Sequence, residues 1–179
     1  MALSSTVYNF NVTLADVDRG VYETLAIRAA QHPSESIEYL LTRVLAYCLE
    51  YAEGIAFSKG ISEPDEPAVV IRDLTGRITS WIEIGSPDAD RLHKASKAAP
   101  RVVLYTHKDP AMILRAFEGK KIHRAADIAV YAMDRALLAE LAEVVDRRTT
   151  MELSVTEQTL YVGIGGRTLT GVVERHAIG

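Results

Sequence analysis

The stretch from Pro64 to His107 constrains the fold of this chain more than any other segment. It contains two runs rich in β-branched residues, 69–74 and 77–84, which meet at Thr75-Gly76. Two such runs around a glycine-containing turn predict an antiparallel β-hairpin with a two-residue turn. The rest of the stretch predicts a short helix and a third strand.

The register of this hairpin singles out one residue. A two-residue turn places Leu74 opposite Arg77, and it makes Glu66 and Glu83 diagonal neighbours on one face of the sheet. The Glu83 carboxylate lies between two isoleucines in an otherwise apolar strand. Burying it costs free energy unless it is paired, protonated or bound to a cation. Glu83 is therefore the strongest candidate for a functional residue.

The residues after the hairpin predict a crossover. Ser86 is the expected N-cap and Pro87 the first residue of a helix that runs to about Ala99. A strand over residues 102–105 follows, and a strand, helix and strand with short connections form a right-handed crossover between parallel strands. The N-terminus of the helix should thus lie near the end of the second hairpin strand.

Apolar spacing predicts the other elements in chain order. First come strands at 5–15 and 21–30, expected to form an antiparallel pair although residues 22–30 could be helical by propensity alone. A helix from Pro33 or Ser34 to about Ala52 and a short strand at 55–57 follow. Further along, helices are predicted at 109–118 and 134–145, and strands at 128–133, 151–156, 159–163 and 168–174. This is the pattern of a mixed α+β fold, which we expect to form one domain over residues 1–179.

Composition excludes several classes of function. A net charge of −4 argues against a protein that coats nucleic acid nonspecifically. The same net charge is compatible with a nuclease, whose acidic metal site can have a local basic rim. No apolar run is long enough to span a membrane and the start is not that of a signal peptide, so we expect a cytoplasmic protein. The single cysteine, Cys48, is predicted to be a buried thiol. The histidines lack metal-ligand spacing, and no dinucleotide or phosphate loop indicates an organic cofactor.

Several short groups of residues together resemble the signatures of a known family. They are His32-Pro33-Ser34-Glu35, Phe57-Ser58-Lys59-Gly60, Asp65-Glu66-Pro67-Ala68, and the run from Trp81 to Asp88 followed by Arg91 and Lys94-Ala95. In this order and spacing they resemble the YaeQ family, over nearly the whole chain. The resemblance implies a variant of the PD-(D/E)XK restriction-endonuclease-like fold. Its core is a helix, a three-stranded meander, a helix and a strand, with additional N- and C-terminal antiparallel strands here.

The same resemblance implies a set of acidic site residues. Asp65 and Glu83 stand where the motif has its two catalytic acids. Asp65, Glu66 and Glu83 would be the ligands of Mg²⁺ or Mn²⁺, which prefer oxygen donors. The superfamily often adds an acid from the first helix, and Glu35 or Glu38 would fill that role.

The basic residue of the motif is displaced in this sequence. The motif has a lysine two residues after its second acid, and that position is Gly85. Because the superfamily sometimes supplies the charge from the following helix, Lys94 is the first candidate for a migrated lysine and Arg91 the second.

Two functions follow from these residues. The site chemistry favours a Mg²⁺-dependent nuclease-like phosphodiester hydrolase. The loss of the motif lysine and the negative net charge favour a catalytically degenerate protein. Such a protein would bind nucleic acid, or a protein of the transcription machinery, without cutting. A third interpretation makes Glu83 and Lys94 a structural ion pair. The basic residues 120–124 are interpreted as a solvated loop, with nucleic-acid contact as the alternative.

Overall fold

A computed structural model describes residues 4–58 and 66–179, and these contain eleven strands and four α-helices. The strands are β1 (Thr6–Asp16), β2 (Val21–Gln31), β3 (Ile55–Phe57), β4 (Val69–Arg72), β5 (Ile78–Ile84), β6 (Arg101–Thr106), β7 (Ala129–Ala132), β8 (Arg148–Thr156), β9 (Thr159–Ile164), β10 (Arg167–Val172) and β11 (Glu174–Ala177). The helices are α1 (Ile37–Leu49), α2 (Ala89–Ala98), α3 (Pro110–Phe117) and α4 (Arg135–Val144). The fold is thus mixed α+β, as predicted.

The first sheet joins the two ends of the chain. Its strand order is β10-β9-β8-β1-β2, and β1 pairs with β8 in parallel while the other neighbours are antiparallel. Alternate residues of β1, among them Phe10, Val12 and Leu14, are buried. This period of two gives the sheet one apolar face. The predicted N- and C-terminal strands therefore form one layer rather than two separate hairpins.

The second sheet carries the hairpin and the crossover. Its order is β11-β7-β6-β5-β4-β3, with β5, β6 and β7 parallel and the remaining pairs antiparallel. The predicted crossover from β5 through α2 to parallel β6 is confirmed. The predicted strand at 168–174 is wrong at its end, because β10 stops at Val172 and the separate strand β11 pairs with β7 in this sheet.

Helix α1 connects the two sheets. It contacts β2 of the first sheet and β3 to β6 of the second, and α4 packs against both α1 and β10. One apolar cluster accordingly contains buried residues from both sheets and both helices. A second cluster, which includes Leu92 of α2 and Phe117 of α3, covers the other face of the second sheet. Because α1 lies against β5, side chains at its N-terminal end reach the neighbourhood of Glu83.

The hairpin between β4 and β5 differs from the prediction at its turn. The amide of Asp73 donates to the carbonyl of Arg77 at 2.9 Å, so the turn has three residues rather than two. The Asp73 carboxylate accepts hydrogen bonds from the amides of Thr75 and Arg77, and this side-chain turn outcompetes the tighter one. A bulge farther along the ladder restores the register, so that Val70 lies opposite Trp81, the pairing that follows from Leu74 opposite Arg77 in the predicted hairpin.

Helix α1 begins later than predicted. Ser36 is its N-cap, with a side chain that accepts a hydrogen bond from the amide of Tyr39 at 3.1 Å. The preceding residues form a turn in which the amide of Glu35 donates to the carbonyl of His32 at 2.8 Å. The expected start at Pro33 or Ser34 is therefore wrong, and Glu35 precedes the helix.

The other end of α1 is fixed by the turn after β1. Arg19 donates to the carbonyls of Cys48 and Tyr51 at 3.2 and 3.0 Å, and it pairs with Asp16 at 2.8 Å. These contacts satisfy carbonyls that a longer helix would otherwise use, so α1 ends at Leu49 before the predicted Ala52. Cys48 is fully buried as predicted, and this burial raises the pKa of its thiol to about 12.

No helix within residues 4–58 and 66–179 combines the length and the apolar character needed to cross a membrane.

The close packing of α4 on β10 can be tested at Gly171. A Cβ there would lie 2.8 Å from the Cβ of Asp134 and 2.9 Å from that of Leu137. We expect Gly171→Ala to lower the free energy of unfolding by about 1–3 kcal/mol in urea titrations, because the added methyl overpacks this contact. Gly163→Ala in β9 is the matched control, since its nearest neighbour would be 3.5 Å away. Equal losses in both variants would contradict the packing argument.

Candidate functional site

Glu83 lies near the end of β5 with its side chain withdrawn from solvent. The side chain is 5% exposed, and the indole Nε1 of Trp81 donates a 2.6 Å hydrogen bond to its Oε1. Trp81 and Glu83 are two residues apart on one strand, so they share a face of the sheet. The strand therefore provides one donor for the buried carboxylate, and further donors have to come from other elements.

Arg91 of α2 provides the charge. Its Nε donates to both carboxylate oxygens of Glu83 at 2.9 Å, and its Nη2 donates to the carbonyl oxygen of Glu66 at 2.7 Å. The N-cap of α2 is Asp88, whose side chain accepts from the amide of Arg91 at 2.8 Å. The predicted cap at Ser86 is therefore wrong. Capping at Asp88 fixes the first helical turn so that Arg91 faces β5.

An open cleft of about 270 Å³ lies beside this ion pair. Its lining residues are Tyr39, Glu66, Ala68, Glu83, Ile84, Ser86, Pro87 and Arg91. Burial raises the pKa of Tyr39 to about 12, so the phenol stays protonated at neutral pH and can donate a hydrogen bond. The cleft thus combines carboxylates, a guanidinium and a neutral hydroxyl.

Gly85, where the resemblance implies a lysine, has a backbone conformation that favours glycine. Gly85 has φ of +93°, a left-handed conformation that residues with a side chain rarely adopt. A Cβ on Gly85 would also lie 3.3 Å from Cε2 of Tyr39. A lysine at this position would therefore be strained and would displace the Tyr39 ring.

The two candidates for the migrated basic residue lie in different environments. Lys94 is 76% exposed and pairs with Asp90 at 3.1 Å, four residues earlier on the same helix. Arg91, the second candidate, is the residue that binds Glu83. The predicted structural ion pair between Glu83 and Lys94 is therefore wrong. Glu83 pairs with Arg91 instead.

The acids expected near the first helix lie in two environments. Glu35 has a side chain that is 4% exposed, and it pairs with Arg43 at 3.4 Å. Arg43 also donates to the carbonyl of Ala30 and lies 5.2 Å from the ring centroid of Phe57. Glu38 lies in the first turn of α1. The charges of the Glu35–Arg43 pair and of the Glu83–Arg91 pair both influence the pKa of Tyr39, which indicates that the phenol lies near both.

The remaining predicted metal ligands are only partly described. Asp65 lies outside the described residues. Glu66 is one-third exposed in the same cleft as Glu83, with its Oε1 4.0 Å from Nη2 of Arg72. Within residues 4–58 and 66–179, no three His, Cys, Asp or Glu residues come together as a metal-binding group. The two cleft carboxylates are hard donors of the type that Mg²⁺ binds, and a cation at Glu83 would compete with Arg91.

Sequence reasoning missed Tyr39 and the role of Trp81. The two-residue spacing of Trp81 and Glu83 on one strand was a usable signal for the indole hydrogen bond. Tyr39 gave no such signal, because its approach to the cleft depends on the packing of α1 against β5.

The Glu83–Arg91 pair can be tested by a double-mutant cycle. We expect a coupling energy of at least about 1 kcal/mol in urea unfolding of Glu83→Gln, Arg91→Met and the double variant, because either single change leaves a partly buried group without its partner. The exposed pair Asp90 and Lys94 is the control, with an expected coupling below about 0.5 kcal/mol. Similar coupling in both cycles would contradict a special role for the buried carboxylate.

Comparison with known proteins identifies the family. The model of the family described as YaeQ protein matches residues 1–172. Proteins named "Uncharacterized protein YaeQ" from Salmonella typhi and Escherichia coli K12 are each 33% identical to the chain, with 90% of this chain and 90% of the relative covered.

Two solved structures extend the similarity to the fold. The crystal structure of YaeQ protein from Pseudomonas syringae has a TM-score of 0.84 at 32% identity, covering 96% of this chain and 95% of that one. The YaeQ protein from Xanthomonas axonopodis pv. citri has a TM-score of 0.88 at 25% identity, covering 98% and 100%. By family match, sequence identity and fold, the chain belongs to the YaeQ family.

Proposed function

We propose that this protein is a nuclease-type phosphodiester hydrolase on a variant of the PD-(D/E)XK fold. The element order supports the fold assignment: α1 is followed by the antiparallel meander β3-β4-β5, then by α2 and by β6 parallel to β5. This is the order that the resemblance implies for the superfamily core. The N- and C-terminal strands add the first sheet to that core.

One observation carries the functional proposal. Glu83, near the carboxyl end of β5, meets the basic group of Arg91 from the following helix at an open cleft. A second acid that meets a basic group from the following helix is the arrangement that the superfamily sometimes uses. We therefore assign the role of the motif's basic residue to Arg91 rather than to Lys94, because Lys94 would have to leave Asp90 to reach the Glu83 carboxylate.

The residues of the cleft have distinct roles in this proposal. Glu83, together with Asp65 or Glu66, would hold a Mg²⁺ or Mn²⁺ ion. Such an ion, when bound, polarises the scissile phosphate and lowers the pKa of its water. Arg91 would exchange its carboxylate partner for a phosphoryl oxygen and stabilise the negative charge that develops there. The protonated Tyr39 can donate to a second oxygen but cannot act as a base at neutral pH.

A second function has its own supporting observation. Arg91 binds both oxygens of Glu83, and Gly85 stands at the lysine position. Both features suit a protein of the same fold that binds nucleic acid, or a protein of the transcription machinery, without hydrolysis. In either case we expect the protein to act in the cytoplasm, as one domain over residues 1–179 and without an organic cofactor.

Hydrolysis assays distinguish the two functions. The substrates are single- and double-stranded DNA and RNA, each with Mg²⁺, with Mn²⁺ and with EDTA. We expect metal-dependent cleavage by the unchanged protein, and a loss of about 100-fold or more in Glu83→Gln and Arg91→Ala, the size typical for removing a group that stabilises the transition state.

The control variant is Lys94→Ala, for which we expect a rate within about threefold of the unchanged protein because its partner is exposed Asp90. A loss in Lys94→Ala with none in Arg91→Ala would return the basic role to Lys94. Cleavage unaffected by Glu83→Gln would rule out this site. Binding without any cleavage would establish the second function.

A further inference from the structure

A cluster of cations outside the cleft lies on the outer surface of α2. Lys120 and Lys121 are exposed, while the next residue, Ile122, is buried in the apolar cluster that also contains Leu92 of α2. The burial of Ile122 anchors the two lysines beside the helix. This segment is the basic sequence at 120–124 that sequence reasoning interpreted as a solvated loop.

Hydrogen bonds fix the same segment against the C-terminal half of α2. Arg124 donates to the carbonyls of Ser96 and Ala99 at 2.6 and 2.8 Å, so its guanidinium stabilises the end of the helix. The amide of His123 donates to Nδ1 of His93 at 2.9 Å. The lysines therefore have a defined position relative to α2 rather than the freedom of a solvated tail.

The cations of α2 itself form a row that leads to this segment. Arg91, Lys94 and Lys97 are spaced three residues apart, which places them along one oblique ridge of the helix. Asp90 neutralises part of this row through its pair with Lys94.

The row and the loop lysines share one electrostatic environment. The pKa of His93 is lowered, by desolvation first and then by the nearby charges of Lys97, Lys121 and His123, with Asp90 acting in the opposite direction. These groups therefore lie close enough to interact. The protein carries a net charge of −4, so this grouping of lysines on α2 and the 120–124 segment is not a consequence of a basic composition.

We propose that Lys97, Lys120, Lys121 and His123, called here the α2 basic surface, bind the phosphate backbone of a nucleic-acid strand that continues from the Glu83 cleft. This inference rests on the proposed function in so far as it takes the strand in the cleft to be its substrate. The surface gives an acidic protein the local positive charge that a polyanion requires. It also gives the basic segment at 120–124 the role of holding substrate.

Fluorescence anisotropy with a labelled 20-nucleotide single-stranded oligothymidine tests the proposal in EDTA, where metal-dependent cleavage does not occur. The variant is Lys97→Ala with Lys121→Ala. We expect binding five- to tenfold weaker than that of the unchanged protein at about 50 mM salt. The slope of log K against log salt should fall by about 1.4, the value for two lost contacts with a single strand.

Two control variants distinguish an affinity loss caused by local contacts from one caused by the change in total charge. Arg28→Ala with Arg167→Ala removes the same charge from exposed positions on the first sheet, and we expect less than a twofold change. Lys97→Arg with Lys121→Arg keeps the charge and should keep the affinity. Equal weakening by both alanine pairs, or no weakening by the lysine pair, would overturn the proposal, as would an unchanged protein that does not bind the oligonucleotide.

The binding measurement tests the α2 basic surface independently of whether the protein hydrolyses nucleic acid. Site-dependent binding without cleavage would remove the hydrolase proposal and leave the α2 basic surface in place. If cleavage depends on Glu83 but the variant Lys97→Ala with Lys121→Ala binds as tightly as the unchanged protein, the hydrolase proposal stands and the α2 basic surface is rejected.

Discussion

A carboxylate withdrawn from water must find compensating donors, and the arrangement around Glu83 depends on this requirement. The strand supplies an indole N–H from Trp81, and the helix supplies the guanidinium of Arg91. Arg91 also binds the carbonyl of Glu66 on the segment that enters β4. One side chain thus joins two neighbouring strands to the helix that crosses between β5 and β6. A polar network of this kind fixes the relative positions of elements that apolar packing alone could leave adjustable.

Local sequence patterns were sufficient for most of the second sheet. The crossover, the parallel pairing of β5 with β6 and the pairing of Val70 with Trp81 all follow from spacing, because a period of two and a short connection leave few alternatives. The turn was mispredicted for a local reason, since the Asp73 carboxylate supplies acceptors that favour three residues over two. The separate strand β11 was missed because only its partner β7 distinguishes it from a continuation of β10.

The composition of the site was harder to predict than its location. Glu83 was identified from an isolated charge in an apolar strand, which is a local signal. The choice between Arg91 and Lys94 depends on how α2 is rotated, and that rotation is set by the Asp88 cap and by buried residues such as Leu92. The participation of Tyr39 depends on contact between α1 and β5, distant in sequence. No pattern within either element records such a contact.

The indole that donates to Glu83 belongs to the only tryptophan of the chain. Its ring centroid is 6.0 Å from the guanidinium carbon of Arg91, so both charged groups of the ion pair lie close to the chromophore. Any ion or phosphate that separates Glu83 from Arg91 changes the field across this indole. The unmodified protein therefore contains an intrinsic fluorescent reporter, and its emission can follow occupation of the cleft without a label.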